Sequence, residues 1–278
     1  MVGLLPDRNL GQITNRYSPV ANHFNEKEGA MMLGWKRNEG QRKAIGLVMA
    51  VLIVSLLVGV MVAQRDHDEE NEKTRHYPTR QLNVQFIRSN DIEVAIATNG
   101  QFTIGIPNGP ILLFGHPHPW SSATTIRVDG VDYWNYDESD LAPIIDGPRN
   151  ENDLSNVTVW NINGVKVTQR LTIVKGISGQ FDTVRIEYTL ENATQTVHTV
   201  GVRLMLDTML GNNDGAPFRV PGTGVVLSER EWLAGNIPPF WEAFDNLDAP
   251  SVKSRGTLLG GDATLPDRLV AANWRHNH

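Results

Sequence analysis

The segment Ala44–Ala63, AIGLVMAVLIVSLLVGVMVA, constrains this chain more than any other part of its sequence. It has 20 residues and no charge, and Ser55 is its only polar side chain. At about 1.5 Å rise per residue, a helix of that length matches a hydrocarbon core of roughly 30 Å. A cleaved signal peptide would be shorter and would begin nearer the N-terminus. The sequence therefore predicts a transmembrane helix that lies in a lipid bilayer.

The charges on the two sides of this segment predict its orientation. Residues 1–43 hold seven Lys or Arg and four Asp or Glu, whereas residues 64–278 hold 18 and 27. Basic residues favour the cytoplasmic side of a membrane. We therefore expect a cytoplasmic tail (1–43), a charged stalk (64–80) and an exported domain (81–278). In a bacterium this domain would be periplasmic and the helix would lie in the inner membrane.

Composition excludes several classes of site. The chain has no cysteine, so disulfides, thiol nucleophiles and thiolate metal sites are excluded. The acidic exported domain offers no evident basic face to phosphates, so we expect no nucleic-acid partner.

Small residues recur at four-residue spacing in the apolar segment. Gly46 and Ala50 form one row, and Ser55, Gly59 and Ala63 form another. At about 100° per residue the two rows fall on nearly opposite faces of a helix. Small residues allow close helix packing in lipid, which suggests contacts with two neighbouring subunits. The alternative is that Gly and Ala are simply common in membrane helices.

The exported domain has the pattern of β-structure. Asp182–Leu190 alternates apolar and polar residues, and Thr196–Leu206 runs back after a turn. Asn156–Trp160 and Val165–Val174 form a second hairpin around Asn163-Gly164. The sequence predicts an all-β, antiparallel β-sandwich of roughly ten to fourteen strands. Short helical turns are predicted at 229–233 and 239–244.

The run Val184–Gly215, VRIEYTLENATQTVHTVGVRLMLDTMLGNNDG, resembles large two-sheet sandwiches of the galactose-mutarotase-like type. That superfamily includes sugar epimerases, lyase domains and structural domains, so the resemblance implies a fold and no single activity. No His/Glu pair stands at recognisable motif positions, and we expect no catalytic residue. Arg268–Trp274 has the pattern of a strand, and we expect the natural chain to continue past His278.

Two short stretches carry weak metal-ligand candidates. His116 and His118 could bind a metal from an extended segment, with further ligands such as Asp129, Asp132 or His198. The alternative is a rigid Pro-rich loop. Asp207 and Asp214, in DTMLGNNDG, have the oxygen ligands that calcium prefers, but their spacing is not that of an EF-hand and favours a turn. We predict no bound metal or cofactor.

Two further stretches suggest surfaces for binding. Carboxylates beside aromatic residues are typical of sugar-binding clefts, although a solvated acidic loop is the default; this stretch contains Tyr133, Trp134, Tyr136, Asp137, Glu138, Asp140 and Asp146. Two prolines before two aromatics form either a docking patch or a loop over the core, and these residues are Pro238, Pro239, Phe240 and Trp241.

The layout of tail, single span and exported domain resembles single-span accessory subunits of bacterial photosynthetic reaction-centre–light-harvesting complexes. This resemblance implies a non-catalytic subunit with membrane-protein partners on both sides of the membrane. Pigments and lipids would then be neighbours rather than ligands. The alternative hypothesis is a membrane-anchored carbohydrate-binding or carbohydrate-active sandwich.

Overall fold

The computed structural model describes residues 31–34, 51–60, 83–136, 143–260 and 263–272, and of 31–34 and 51–60 it describes the backbone. These residues form strands and turns without any helix, which confirms the predicted all-β class for this part of the chain. In chain order the strands are β1 (Met31–Gly34), β2 (Val51–Val60), β3 (Val84–Arg88), β4 (Glu93–Ala97), β5 (Phe102–Gly105), β6 (Ala123–Val128), β7 (Val131–Trp134), β8 (Ile144–Asn152), β9 (Ser155–Ile162), β10 (Val165–Val174), β11 (Thr183–Asn192), β12 (Val200–Leu206), β13 (Phe218–Val220), β14 (Gly224–Val226), β15 (Arg230–Leu233), β16 (Phe240–Phe244), β17 (Val252–Thr257) and β18 (Arg268–Ala271).

The strands form three antiparallel sheets. The largest has nine strands in the order β14-β13-β16-β17-β2-β11-β10-β9-β8. A second has six strands in the order β15-β18-β1-β12-β6-β7, and a third has the order β3-β4-β5. One buried apolar cluster draws residues from all three sheets, so the arrangement is sandwich-like.

The long hairpin β10–β11 shows why the sequence folds this way. Along β10 buried and half-buried residues alternate without interruption, because successive side chains of a strand point to opposite faces. Leu171 of β10 pairs with Ile186 of β11, and both are fully buried. The observed bounds of β10 are those that the sequence predicts.

A polar network crosses the interior between the two larger sheets. Tyr188 donates a 2.8 Å hydrogen bond to Gln169 Oε1, and its hydroxyl lies 2.5 Å from Thr124 Oγ1. Gln169 Nε2 in turn donates to the carbonyl oxygen of Gly100 at 3.0 Å. Burial raises the pKa of Tyr188 because it disfavours the phenolate. Each buried polar group has a partner here, as a stable interior requires.

The prediction of ten to fourteen strands was too low, because the described residues after residue 80 contain sixteen, β3 to β18, several of them only three or four residues long. Three local predictions were also wrong. The expected helical turns are strands, β15 and β16, and their aromatic residues explain the difference. Trp232 and Trp241 are buried between alternating neighbours, and aromatic side chains suit a pleated, half-buried surface. The strand expected from Thr196 begins at Val200, because residues 193–199 form a loop.

Most of the predicted tail and the whole stalk lie outside the described residues, as do residues 44–50 and 61–63 of the predicted span. The backbone of Val51–Val60 lies as β2 between β11 and β17. The part of the chain that the structure describes contains no apolar helix of membrane-spanning length. The transmembrane helix at 44–63 stays a prediction.

Candidate functional site

The outer face of strands β8, β9 and β10 carries an open groove of about 370 Å³. Strand β8 is an edge strand, and its pairing with β9 shifts register at three places between Ile144 and Asn152. Such bulges bend an edge strand and redirect its side chains. Gly147 lies at one bend with φ of +81°, where a Cβ would overlap the carbonyl oxygen of Val157. This close approach of β8 to β9 requires glycine at residue 147.

The groove has an apolar floor and a charged rim. Val157 and Val159 of β9 form the floor, and both are buried. Ile145 stands at the edge with 56% of its surface exposed. The rim contains three basic and three acidic or polar side chains, and these are Arg149, Lys166, Arg170, Asp146, Glu151 and Thr168.

Ion pairs organise the rim. Arg149 NH2 lies 3.0 Å from Asp146 Oδ2, and Arg170 contacts Glu151. The hydrogen bond from Arg149 holds the pKa of Asp146 below its usual range and raises that of Arg149. Both members of the Asp146–Arg149 pair therefore stay charged at physiological pH. Fixed charges of both signs around an apolar floor suit a partner surface of complementary pattern.

The two histidines of the HPHP stretch have different surroundings. His116 turns inward, with 5% of its side chain exposed, and its Nε2 lies 2.9 Å from Glu93 Oε1. Its burial lowers its pKa below the usual 6.5, and the Glu93 carboxylate opposes that shift only in part. His118 is exposed. The possible further ligands lie elsewhere: Asp132 pairs with Arg127 and Asp129 with His198.

Asp207 and Asp214 lie in a turn after β12. Asp207 is buried, accepts a hydrogen bond from Ser121 Oγ and donates its backbone N–H to Ser122 Oγ at 3.1 Å. Asp214 is half-buried, and a bridge between Leu210 and Asn213 closes the turn. Among the residues with described placement, no group of three or more metal-ligating side chains converges.

The Pro-Pro-Phe-Trp stretch contributes to both core and surface. Trp241 is fully buried and packs edge-on against Phe218, with ring centroids 5.6 Å apart. Pro238 is buried as well, whereas Pro239 is exposed and Phe240 is half-buried. Arg255 lies over the Phe240 ring at 3.5 Å. Only Pro239 and part of Phe240 are open to a partner.

The acidic–aromatic stretch is described in part. Residues 137–140, with Asp137, Glu138 and Asp140, lie outside the described residues. Trp134 and Tyr136 are half-buried neighbours with ring centroids 5.8 Å apart. Of the proposed helix-packing residues, Gly46, Ala50 and Ala63 are likewise outside, and Ser55 and Gly59 are described only as backbone of β2.

Sequence reasoning missed a hydroxyl–imidazole–carboxylate chain. Thr194 Oγ1 lies 3.0 Å from His198 Nε2, and His198 Nδ1 lies 2.7 Å from Asp129 Oδ2. The His198 hydrogen bond lowers the pKa of Asp129. The Thr194 hydroxyl also contacts Asn192 Oδ1 at 2.8 Å, so its single proton is shared among acceptors. These hydrogen bonds connect the β11–β12 loop to the β6–β7 turn. Asp129 and His198 are 69 positions apart in sequence, so no local pattern indicates their contact.

No protein-family model, curated protein or solved structure matches this chain. The likeness to galactose-mutarotase-like sandwiches therefore stays a resemblance of sequence pattern.

Proposed function

We propose that this chain is a non-catalytic docking subunit of a larger bacterial membrane assembly. Its apolar segment 44–63 would anchor it, and its β domain would bind protein partners on the exported side. The 20-residue uncharged run and the unequal charge on its two sides support the anchor and its orientation.

One observation carries the docking role, and it is the groove on the outer face of β8–β10. Ile145 offers exposed apolar surface beside the buried floor of Val157 and Val159, and the rim holds charges of both signs. Interfaces of this kind gain affinity from apolar burial and specificity from the charge pattern. The rim charges are already paired within the chain. A partner would therefore recognise the pattern of positive and negative charges and would not need to neutralise a net charge.

A charge swap tests this role while preserving the ion pair. The variant D146R/R149D keeps one acid and one base in contact but inverts the pattern that a partner meets. The matched control is R127D/D132R, which swaps a bidentate pair outside the groove, where Arg127 Nε lies 2.6 Å from Asp132 Oδ1. Each full-length variant is extracted from native membranes in mild detergent, and its partners are identified by mass spectrometry.

We expect stoichiometric partners with the unaltered chain and with the control, and at least tenfold lower recovery with the groove variant. Isolation of the unaltered chain as a lone monomer would contradict the docking role. Equal recovery with all three proteins would show that partners bind elsewhere and would remove the groove from the proposal.

The second candidate is a membrane-anchored carbohydrate-binding protein. The observation that favours it is the pair Trp134 and Tyr136, whose half-buried rings lie at the edge strand β7 beside the acidic stretch. Aromatic faces can stack on sugar rings, and carboxylates can accept hydrogen bonds from sugar hydroxyls. Calorimetric titration with oligosaccharides would test it, because W134A should abolish any binding while Y133F should preserve it.

A further inference from the structure

The nine-stranded sheet contains a slot one strand wide between β11 and β17. On the edges that point away from the slot, β11 pairs with β10 and β17 pairs with β16. Across the slot, both pair only with Val51–Val60 among the residues that the structure describes. Since both are antiparallel to that segment, they run parallel to each other about 9.6 Å apart, which is two strand spacings. A strand in this slot must run opposite to both.

In the observed register, the residues of Val51–Val60 that pair with core residues are of a suitable type. Val54 pairs with Ile186, and Leu56 pairs with Val184. Both partners are fully buried. An aliphatic residue is what these positions require, because alternate residues of each strand face the same apolar interior.

The residues of Val51–Val60 that pair with the outer positions are not of a suitable type. Ile53 pairs with Glu187, and Leu57 pairs with Arg255, and both partners are half-buried charged residues. An occupant suited to the slot would alternate apolar and polar residues. The segment Val51–Val60 is apolar at both sets of positions, which suits lipid on all sides better than a sheet with one polar face.

Polar atoms beside the slot lack hydrogen-bond partners. Ser254 Oγ and Arg255 Nε of β17 are buried and unsatisfied. On β11, Arg185 Nε and Glu187 Oε2 form an ion pair at 3.2 Å but have no partner in hydrogen-bond geometry. A buried polar group without a hydrogen-bond partner destabilises the fold. A strand with polar side chains opposite them would satisfy them.

The charge at the outer side of the slot favours an acidic occupant. Arg185, Lys253 and Arg255 lie on the two strands that border it, and Glu187 is the one acid of the registered outer positions. Lys253 also contacts Glu242 of β16 at 3.1 Å. Opposite charges paired across strands stabilise a sheet.

We infer that this slot accepts an extended strand from a partner protein, with aliphatic residues on its inner side and acidic residues on its outer side. The segment Val51–Val60 then lies in the membrane. Addition of a strand gives affinity through main-chain hydrogen bonds and specificity through alternate side chains. The inference deepens the proposed docking role, on which it rests for the source of the strand.

The first experiment asks whether Val51–Val60 occupies the slot in the membrane-bound chain. Ser55 pairs with Thr257 across β2 and β17, and the chain has no cysteine of its own. The variant S55C/T257C in lipid nanodiscs is oxidised and analysed by mass spectrometry. The matched positive control is S155C/T172C, because these paired residues of β9 and β10 have hydroxyl oxygens 3.4 Å apart. We expect a disulfide only in the control, and complete disulfide formation in S55C/T257C would overturn the inference.

The second experiment measures whether the slot binds an added peptide strand. The probe is a fluorescent ten-residue peptide, EVEVEVETEV, which places threonine opposite Ser254 when it adopts the register of β2. The control peptide has the same residues in two blocks, with all glutamates first. We expect the full chain in nanodiscs to bind the alternating peptide at least tenfold more tightly. Equal binding of both peptides, or binding of neither, would refute strand acceptance.

Single substitutions on β17 test whether the peptide binds at the slot. K253E and R255Q, made singly, should each weaken binding of the alternating peptide severalfold, whereas K175E, in the loop after β10, should leave it unchanged. K253E alters a side chain that is 44% exposed, so it tests the slot even where R255Q perturbs folding. If partner recovery responds to D146R/R149D but the peptide does not bind, docking stands and strand acceptance fails. If the peptide binds and no partner is ever recovered, the docking role fails alone.

Discussion

The imidazole of His116 packs so closely on Gly105 that a Cβ at residue 105 would overlap the His116 ring. Gly105 ends β5, and no left-handed backbone angle explains its identity. The close approach lets His116 reach Glu93 on the neighbouring strand β4. Glycine is required here by packing alone.

The variant G105A should therefore destabilise the domain by about 1–3 kcal/mol, as overpacking of a tight interior does. Urea unfolding followed by tryptophan fluorescence measures the change. The double variant G105A/H116A should lose less stability than the sum of the two single variants, because removing the ring removes the overlap. Additive losses would show that the ring and the added methyl do not meet.

The burial of His116 also predicts a pH dependence. Its pKa is lowered in the folded state relative to 6.5 when unfolded, so the unfolded chain binds more protons between these values. Stability is then complete above about pH 6.5 and falls as pH drops below it. H116Q should flatten this part of the curve, whereas H118Q, at the exposed histidine, should not. Parallel curves for the chain and H116Q would contradict the assignment.

Much of the fold could be predicted because strands leave a local pattern. Val165–Val174 alternates so regularly that its bounds follow from the sequence, and Asn163-Gly164 identifies its turn. The strands around Trp232 and Trp241 could not be predicted in the same way. They are four and five residues long, so their pattern is too short to tell a strand from a helical turn.

The candidate groove could not be predicted, since it depends on long-range pairing. Strand β8 has the sequence IIDGPRNEN, and its central Gly147 and Pro148 are typical of a turn rather than a strand. Its contact between Glu151 and Arg170 follows from three strands lying side by side. Sequence reasoning identified Asp146 as a candidate but gave no sign of Arg149 as its partner.

The Tyr188 hydroxyl should contribute measurably to stability. Y188F removes the 2.8 Å donor to Gln169 Oε1 and the 2.5 Å partner of Thr124 Oγ1, and leaves these two buried groups only their long 3.5 Å contact with each other. We expect a loss of about 1–3 kcal/mol. The control is Y133F, because the Tyr133 hydroxyl accepts one 3.3 Å hydrogen bond from exposed Asn163 and should contribute little. A Y188F protein as stable as the unaltered chain would show that the network does not stabilise the fold.

The contact between Asp129 and His198 should stabilise the β11–β12 loop. Asp129 has φ of +51°, a conformation that asparagine also tolerates, so D129N removes the charge while preserving the backbone preference. The pKa of Asp129 is lowered from 3.8, so its contribution is present above pH 3.8 and lost as pH falls through the lowered value. D129N should increase hydrogen exchange at residues 193–199 at pH 7, and combining it with H198Q should add little. Unchanged exchange would exclude a role for this contact in holding the loop.

The location of Val51–Val60 can be tested with two acidic substitutions. Ile53 and Leu57 lie near the centre of the predicted span, where an acidic residue costs roughly 2.5–3.5 kcal/mol in a membrane helix. I53E/L57E should therefore release the chain from alkali-washed membranes, and I53A/L57A should leave it bound. In the slot, by contrast, Leu57 pairs with Arg255, where a glutamate would be favourable. A chain that resides in the slot would give the same membrane fraction for both variants and for the unaltered protein.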